Sequence, residues 1–204
     1  MITHRLAKRR PCGPEVGKCD MSLGKATIVV SLVMVGVASA AGEAPGSPSE
    51  DPAAFLQRLA GEWSVASEAL LGPGQEPIRT ESREVARLLG GKWLVAEATG
   101  TTPGGQPSTS ILTLGYDPAE ERFVGTWIST MQTHLWSYAG VLDDSGTALT
   151  LETEGPILGD PTRTAKYREI IETTDADHKV IRSMILGPDG EWFEFARAEY
   201  RRGE

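Results

Sequence analysis

The stretch "ILTLGYDPAEERFVGTWIST", Ile111–Thr130, reads as strand, turn, strand. Its two arms are rich in Thr, Ile, Leu, Val, Phe and Trp, the residues that fit a pleated, half-buried surface. Between them Asp117 and Pro118 open a polar "DPAEE" turn. The same punctuation recurs outward in both directions: "GPGQEP" (Gly72–Pro77), Gly90-Gly91, "PGGQ" (Pro103–Gln106), "DDSG" (Asp143–Gly146), "GPILGDP" (Gly155–Pro161), "DADH" (Asp175–His178) and "GPDG" (Gly187–Gly190). The intervening runs predict ten strands, at 62–71, 78–89, 92–100, 107–116, 122–130, 133–142, 147–154, 163–174, 179–186 and 191–202.

No segment after Gly61 is long and helically periodic enough to serve as a βαβ crossover, so the sheet is expected to be antiparallel. Left open, a meander of this length exposes two hydrogen-bonding edges. Closing it into an up-and-down barrel removes them. The expected fold is therefore all-β, a single closed antiparallel barrel of about ten strands, with a two-sheet sandwich as the alternative. Before the first strand, "DPAAFLQRLA" (Asp51–Ala60) has an acid followed by proline, then apolar Phe55, Leu56 and Leu59 on one face. It predicts a helix of about two turns ending at Gly61.

The alternation is imperfect in two strands. Phe123, Gly125 and Trp127 share one face of theirs and Val124, Thr126 and Ile128 the other. His134, Trp136, Tyr138 and Leu142 oppose Leu135, Ala139 and Val141. Both faces are partly apolar, so periodicity does not say which points inward.

The chain of 204 residues begins with a different kind of sequence. Lys25 precedes "ATIVVSLVMVGVASA", which ends in Ala38-Ser39-Ala40. That uncharged run is short for a bilayer span, which needs about 20 residues, and its end matches the small-x-small pattern of signal cleavage. Residues 1–40 read as a secretory signal, 41–50 as a Pro/Gly/Ser linker and 51–204 as the barrel domain. The alternative is an uncleaved N-terminal anchor. Residues 1–20 form an unusually long basic leader, which points to Met21 as the true start. Both cysteines, Cys12 and Cys19, fall in the removable part, and neither sits at the cleavage point as a lipobox requires. The expected location is periplasmic or secreted.

From Ala41 onward there are 14 Lys and Arg against 26 Asp and Glu, a formal net charge of −12. Such an acidic chain argues against nucleic acid and against anionic membrane surfaces as partners.

The quoted segments, with "GEWSV", "LLGGKWLVAEATG", "MQTHLWSYAG", "LTLETEGP", "TAKYREIIE" and "DGEWFEFARAEYRR", resemble the bacterial family known as domain of unknown function 1579, from about Leu56 to Arg202. That family has no established activity, so the resemblance implies a fold and not a mechanism. The Gly61-x-Trp63 opening after a short helix also resembles lipocalin and fatty-acid-binding-protein-like (calycin) barrels. That resemblance implies that Trp63 closes one end of the barrel under an arginine of the last strand, where Arg197, Arg201 and Arg202 are available.

Candidate binding residues are His134, Trp136, Tyr138, Tyr167, Arg168 and Glu152. His134 among aromatics is either a packed histidine or an axial ligand for haem, as in the barrels related to nitrobindins, and the packed reading is preferred. No other cofactor is expected. Two histidines and no cysteine after the leader do not make a zinc site. Glu152 and Glu154, two apart in "LETEGP", share one face, either solvent or lumen, and in a lumen Arg168 or Arg182 must balance them. Tyr167 offers a hydroxyl to a polar ligand head if it faces inward. No GxSxG or other nucleophile signature is present, so Tyr167, Glu152 and Arg168 acting as an enzyme is the weakest reading. The expected function is binding of a small, partly apolar molecule in the lumen. The alternative is a structural or protein-interaction barrel with a filled lumen. Oligomeric state is left open.

Overall fold

The computed structural model describes residues 51–203, apart from 71, 73, 74, 158 and 159. The expectations about the signal segment, the linker, Met21 and the two cysteines lie outside the described residues.

Ten strands form one closed antiparallel barrel in which each strand pairs with its sequence neighbours and the last pairs with the first. The strands are β1 (Gly61–Ala69), β2 (Ile78–Leu89), β3 (Trp93–Thr101), β4 (Pro107–Asp117), β5 (Arg122–Ser129), β6 (Gln132–Leu142), β7 (Ala148–Ile157), β8 (Asp160–Thr173), β9 (His178–Leu186) and β10 (Trp192–Arg202). Closure runs from Trp63 opposite Arg202 to Ala69 opposite Ala196. The barrel, not the sandwich, is the fold.

Helix α1 (Pro52–Leu59) forms where the sequence places it. Asp51 caps it by accepting from the Ala53 amide at 3.0 Å, and Pro52 occupies a first-turn position where its missing N–H is not needed. Phe55, Leu56 and Leu59 are fully buried against the barrel end. Phe55 meets Phe123 edge to face, with ring centroids 5.7 Å apart.

Gly61 makes the helix-to-strand corner. Its φ of +136° lies where side chains are strained, and a Cβ there would stand 2.1 Å from the Arg202 guanidinium. The glycine of Gly-x-Trp is thus required both by the backbone and by what lies over it.

One turn departs from expectation. The "GPILGDP" segment reads as a turn, but β7 continues through Gly155 and Pro156 to Ile157, and β8 starts at Asp160. Proline is tolerated because this end of β7 is an edge toward β6. The β6–β7 ladder covers only Ala139–Leu142 against Leu149–Glu152. A bulge follows between Pro156 and Ile157 on the β8 side.

Directly opposed residues in an antiparallel ladder share a face. The registers therefore carry one inward row around the barrel, from Trp63 through Glu84, Ala98, Ser110 and onward. Near α1 this row is solid core: Trp63, Leu94, Leu114, Phe123, Leu149, Leu151 and Ile171 are essentially inaccessible.

Candidate functional site

Building begins at the closed end. Trp63 is 2% exposed, and its indole nitrogen donates to the Leu59 carbonyl at 3.0 Å, tying strand to helix. The arginine over its ring is Arg202, 4.2 Å from the centroid. Arg202 also donates to the carbonyls of Ala60 (2.9 Å), Arg58 (3.2 Å) and Ala176 (2.9 Å), so the guanidinium closes the loose backbone ends of this rim. Arg197 and Arg201, expected as closure residues, do not reach Trp63. They alternate with the inward Ala196, Ala198 and Tyr200, are exposed, and Arg197 lies 3.7 Å from Glu199. In a strand only every second residue faces inward, and Arg202 is the one in Trp63's register.

Beneath the tryptophan sits a buried ion pair. Lys179 donates to Glu84 at 2.7 Å, with side chains 4% and 6% exposed. The ammonium also lies 4.5 Å from the ring centroids of both Trp63 and Tyr200. Burial lowers the lysine's pKa, and the Glu84 charge opposes that shift.

Farther in, the inward positions change character. Ser67, Ser82, Ala98, Thr153, Ala196 and Ala198 are small, and each keeps accessible surface although it faces the barrel interior. Glu169 stands on this part of the wall. It accepts a hydrogen bond from Ser183 Oγ at 2.6 Å. Burial raises its carboxyl to about 7, with the serine bond pulling the other way. Burial raises the hydroxyls of Tyr138 and Tyr200 above the usual range, with the Glu169 charge adding to it at Tyr138 and those of Glu84 and Glu169 at Tyr200. Glu169 faces the barrel interior by register and keeps some accessible surface.

One side of that space is aromatic. Trp127 and Trp136 oppose each other across the β5–β6 ladder, and Tyr167 packs edge-on to Trp136 at 4.9 Å. His134 packs edge-on to Trp136 at 4.8 Å, and its Nε2 lies 2.9 Å from where a Cβ on Gly155 would sit. The His134 ring is therefore packed between Trp136 and the Gly155 backbone. The Tyr167 hydroxyl donates to the Pro156 carbonyl at 2.9 Å, so it holds the free end of β7. The indole nitrogen of Trp136 is buried with no hydrogen-bond partner among the described residues.

Glu152 and Arg168 are on the outer face, where they pair at 2.5 Å while the guanidinium lies 4.1 Å from the Trp192 ring centroid. The expectation of a lumen role for these two is corrected. Their neighbours Leu151 and Glu169 are the inward ones, and alternation puts Glu152 and Arg168 outside. His134, Trp136, Tyr138 and Tyr167 do come together on the inner wall. Sequence reasoning did not single out Glu84, Lys179, Glu169, Ser183 or Tyr200. Glu169 carried a signal, since it falls two residues from Tyr167 and two from Ile171 on their shared face. Among the described residues no group of three or more His, Cys, Asp or Glu is placed to hold a metal ion.

A cleft of about 720 Å³ lies along β10, β1 and β2, lined by the inward Ser67, Thr80 and Ala196 and by the outer Glu68, Arg79, Glu81, Arg197 and Glu199. A second, of about 570 Å³, lies between β7, β8 and the β9–β10 turn, beside Ala165, Ile185 and Phe193.

A closed ten-strand meander with a helix and a tryptophan at one end and a partly polar interior at the other is a calycin-like barrel. The chain belongs to the protein family of unknown function DUF1579, whose family model matches residues 49–202. Among solved structures it is similar to Rv2717c from M. tuberculosis, at 14% identity over 76% of this chain and 99% of that one, with a TM-score of 0.52. It is also similar to two redesigned β-barrels. One, b11L5F_LGL, aligns at 13% identity over 74% of this chain and 96% of that one, TM-score 0.41. The other, mFAP0 bound to DFHBI, aligns at 15% identity over 72% and 100%, TM-score 0.40. These likenesses concern the fold alone. No curated protein matches the chain.

Proposed function

We propose that this barrel binds a small, partly apolar molecule in the open half of its lumen, and that it does so outside the cytoplasm once the segment before Ala41 has been removed. The observation that carries the binding reading is the change along the inward row. Large core residues fill the α1 end, whereas small ones such as Ser67, Ala98 and Ala198 leave accessible surface farther in. Ligand sites of this kind are concave, mostly apolar and furnished with a few polar groups. Here Trp127, Trp136 and Tyr138 supply the apolar wall and Glu169 with Ser183 the polar group. Two of the five tryptophans, Trp93 and Trp192, are on the outside and take up no lumen space. Export rests on the Ala26–Ala40 run and its Ala38-Ser39-Ala40 end.

Protein purified from its own host is expected to carry a small-molecule adduct in native mass spectrometry and to begin at Ala41. Ala198→Phe, which fills the open half, is expected to abolish binding of the neutral dye Nile red without loss of the melting transition. A bare mass together with no dye binding by the wild type sinks the reading. The protein-interaction alternative is favoured by one feature, the exposed apolar Ile128, Met131 and Leu135 on the β5–β6 hairpin.

A further inference from the structure

Among the described residues, four charged side chains face the interior by register: Arg202, Lys179, Glu84 and Glu169. Arg202 belongs to the plug, where it lies 3.5 Å from Asp177 and binds backbone carbonyls. Lys179 is committed to Glu84. That leaves Glu169 as the interior charge with no cation beside it among the described residues. One of its oxygens accepts from Ser183, and the other has no hydrogen-bond partner among those residues.

Resting on the lumen-binding reading, we propose that the natural ligand is an amine, whose protonated nitrogen pairs with Glu169 while its apolar part lies along the Trp127–Trp136 wall. A buried carboxylate without a partner is costly, and a cation that supplies charge and hydrogen bonds removes that cost. An anionic ligand meets the reverse situation: Glu84 and Glu169 repel it, and Lys179 is already neutralised. A neutral apolar ligand leaves Glu169 as it was.

The test uses the full chain with Nile red as reporter and three competitors of one length: octylamine, octanol and octanoate. At pH 8.5 the amine is expected to displace the dye at a concentration about tenfold or more below that of octanol, with octanoate weakest. At pH 5.5 Glu169 is protonated and the preference is expected to shrink to less than about threefold. The other groups facing the carboxyl are Ser183, Tyr138 and Tyr200, whose hydroxyls stay protonated across this range, and the Glu84–Lys179 pair, with His134 on the neighbouring wall. Glu169→Gln separates them: it is expected to remove the amine preference at both pH values and leave octanol unchanged.

Equal competition by amine and alcohol at pH 8.5, or an amine preference that survives in Glu169→Gln, overturns the proposal while leaving the binding reading intact. Failure of the dye and all three competitors to bind overturns both. If Glu169→Gln does not fold, the wild type decides alone, because a preference of equal size at pH 5.5 and 8.5 excludes a carboxylate that titrates near 7.

Discussion

Glu169 makes a quantitative statement about stability. Its carboxyl rises from 4.5 to about 7 on folding because the barrel encloses it without a cation. The native state therefore holds this proton more tightly than the unfolded chain does. Between pH 4.5 and 7 the folded protein binds more protons, so stability falls as pH rises, by up to about 1.4 kcal/mol per pH unit from this group. The contribution is whole below pH 4.5 and gone above 7. Over the full interval it amounts to about 3 kcal/mol. Glu169→Gln keeps the shape and an acceptor for Ser183 Oγ but carries no titratable proton. The measurement is urea unfolding of wild type and variant at half-unit steps from pH 5 to 8. The variant is expected to gain on the wild type steadily from pH 5 to about 7, and the difference is expected to be constant above about pH 7.5. Parallel stability profiles would refute the reasoning, because they would mean that the carboxyl is solvated in the folded state.

The buried ion pair gives a second expectation. Lys179→Met strands Glu84 among apolar neighbours and is expected to cost about 3–5 kcal/mol, whereas the double change Glu84→Leu with Lys179→Met should recover most of that loss. Urea midpoints of the three proteins measure it, and a double variant as unstable as the single one counts against the account. At the closed end, Trp63→Ala is expected to cost about 3–5 kcal/mol, and Trp63→Phe about 1 kcal/mol beyond the change in packed volume, the latter for the lost bond to Leu59. A melting temperature that Trp63→Ala leaves within error would show that the plug does not hold the barrel shut.

How much of this was legible in the sequence depends on which kind of rule each residue obeys. All ten strands and the helix follow from turn chemistry and period, and closure follows from the need to remove two edges. The exception, the run through Gly155 and Pro156, looked like a turn because proline is excluded from a strand paired on both sides. Nothing in the sequence says that β6 and β7 part company beyond Glu152. The site was harder to read for a related reason. Alternation identifies the inward face only when one face is apolar and the other polar. A lumen that holds Glu84, Lys179, Glu169 and Ser183 breaks that contrast from the inside, while Trp192 packed under Arg168 breaks it from the outside. The grouping of Tyr167, Glu169 and Ile171 on one face was available, but the pairing of Glu152 with Arg168 across the β7–β8 ladder fits either face equally well. Only closure decides between them, because it fixes the side on which Trp63 and Arg202 meet, and every other register follows from that contact. A barrel whose inner face matched the apolar rule throughout would pack itself solid; in this one Glu169 faces inward with no cation beside it among the described residues.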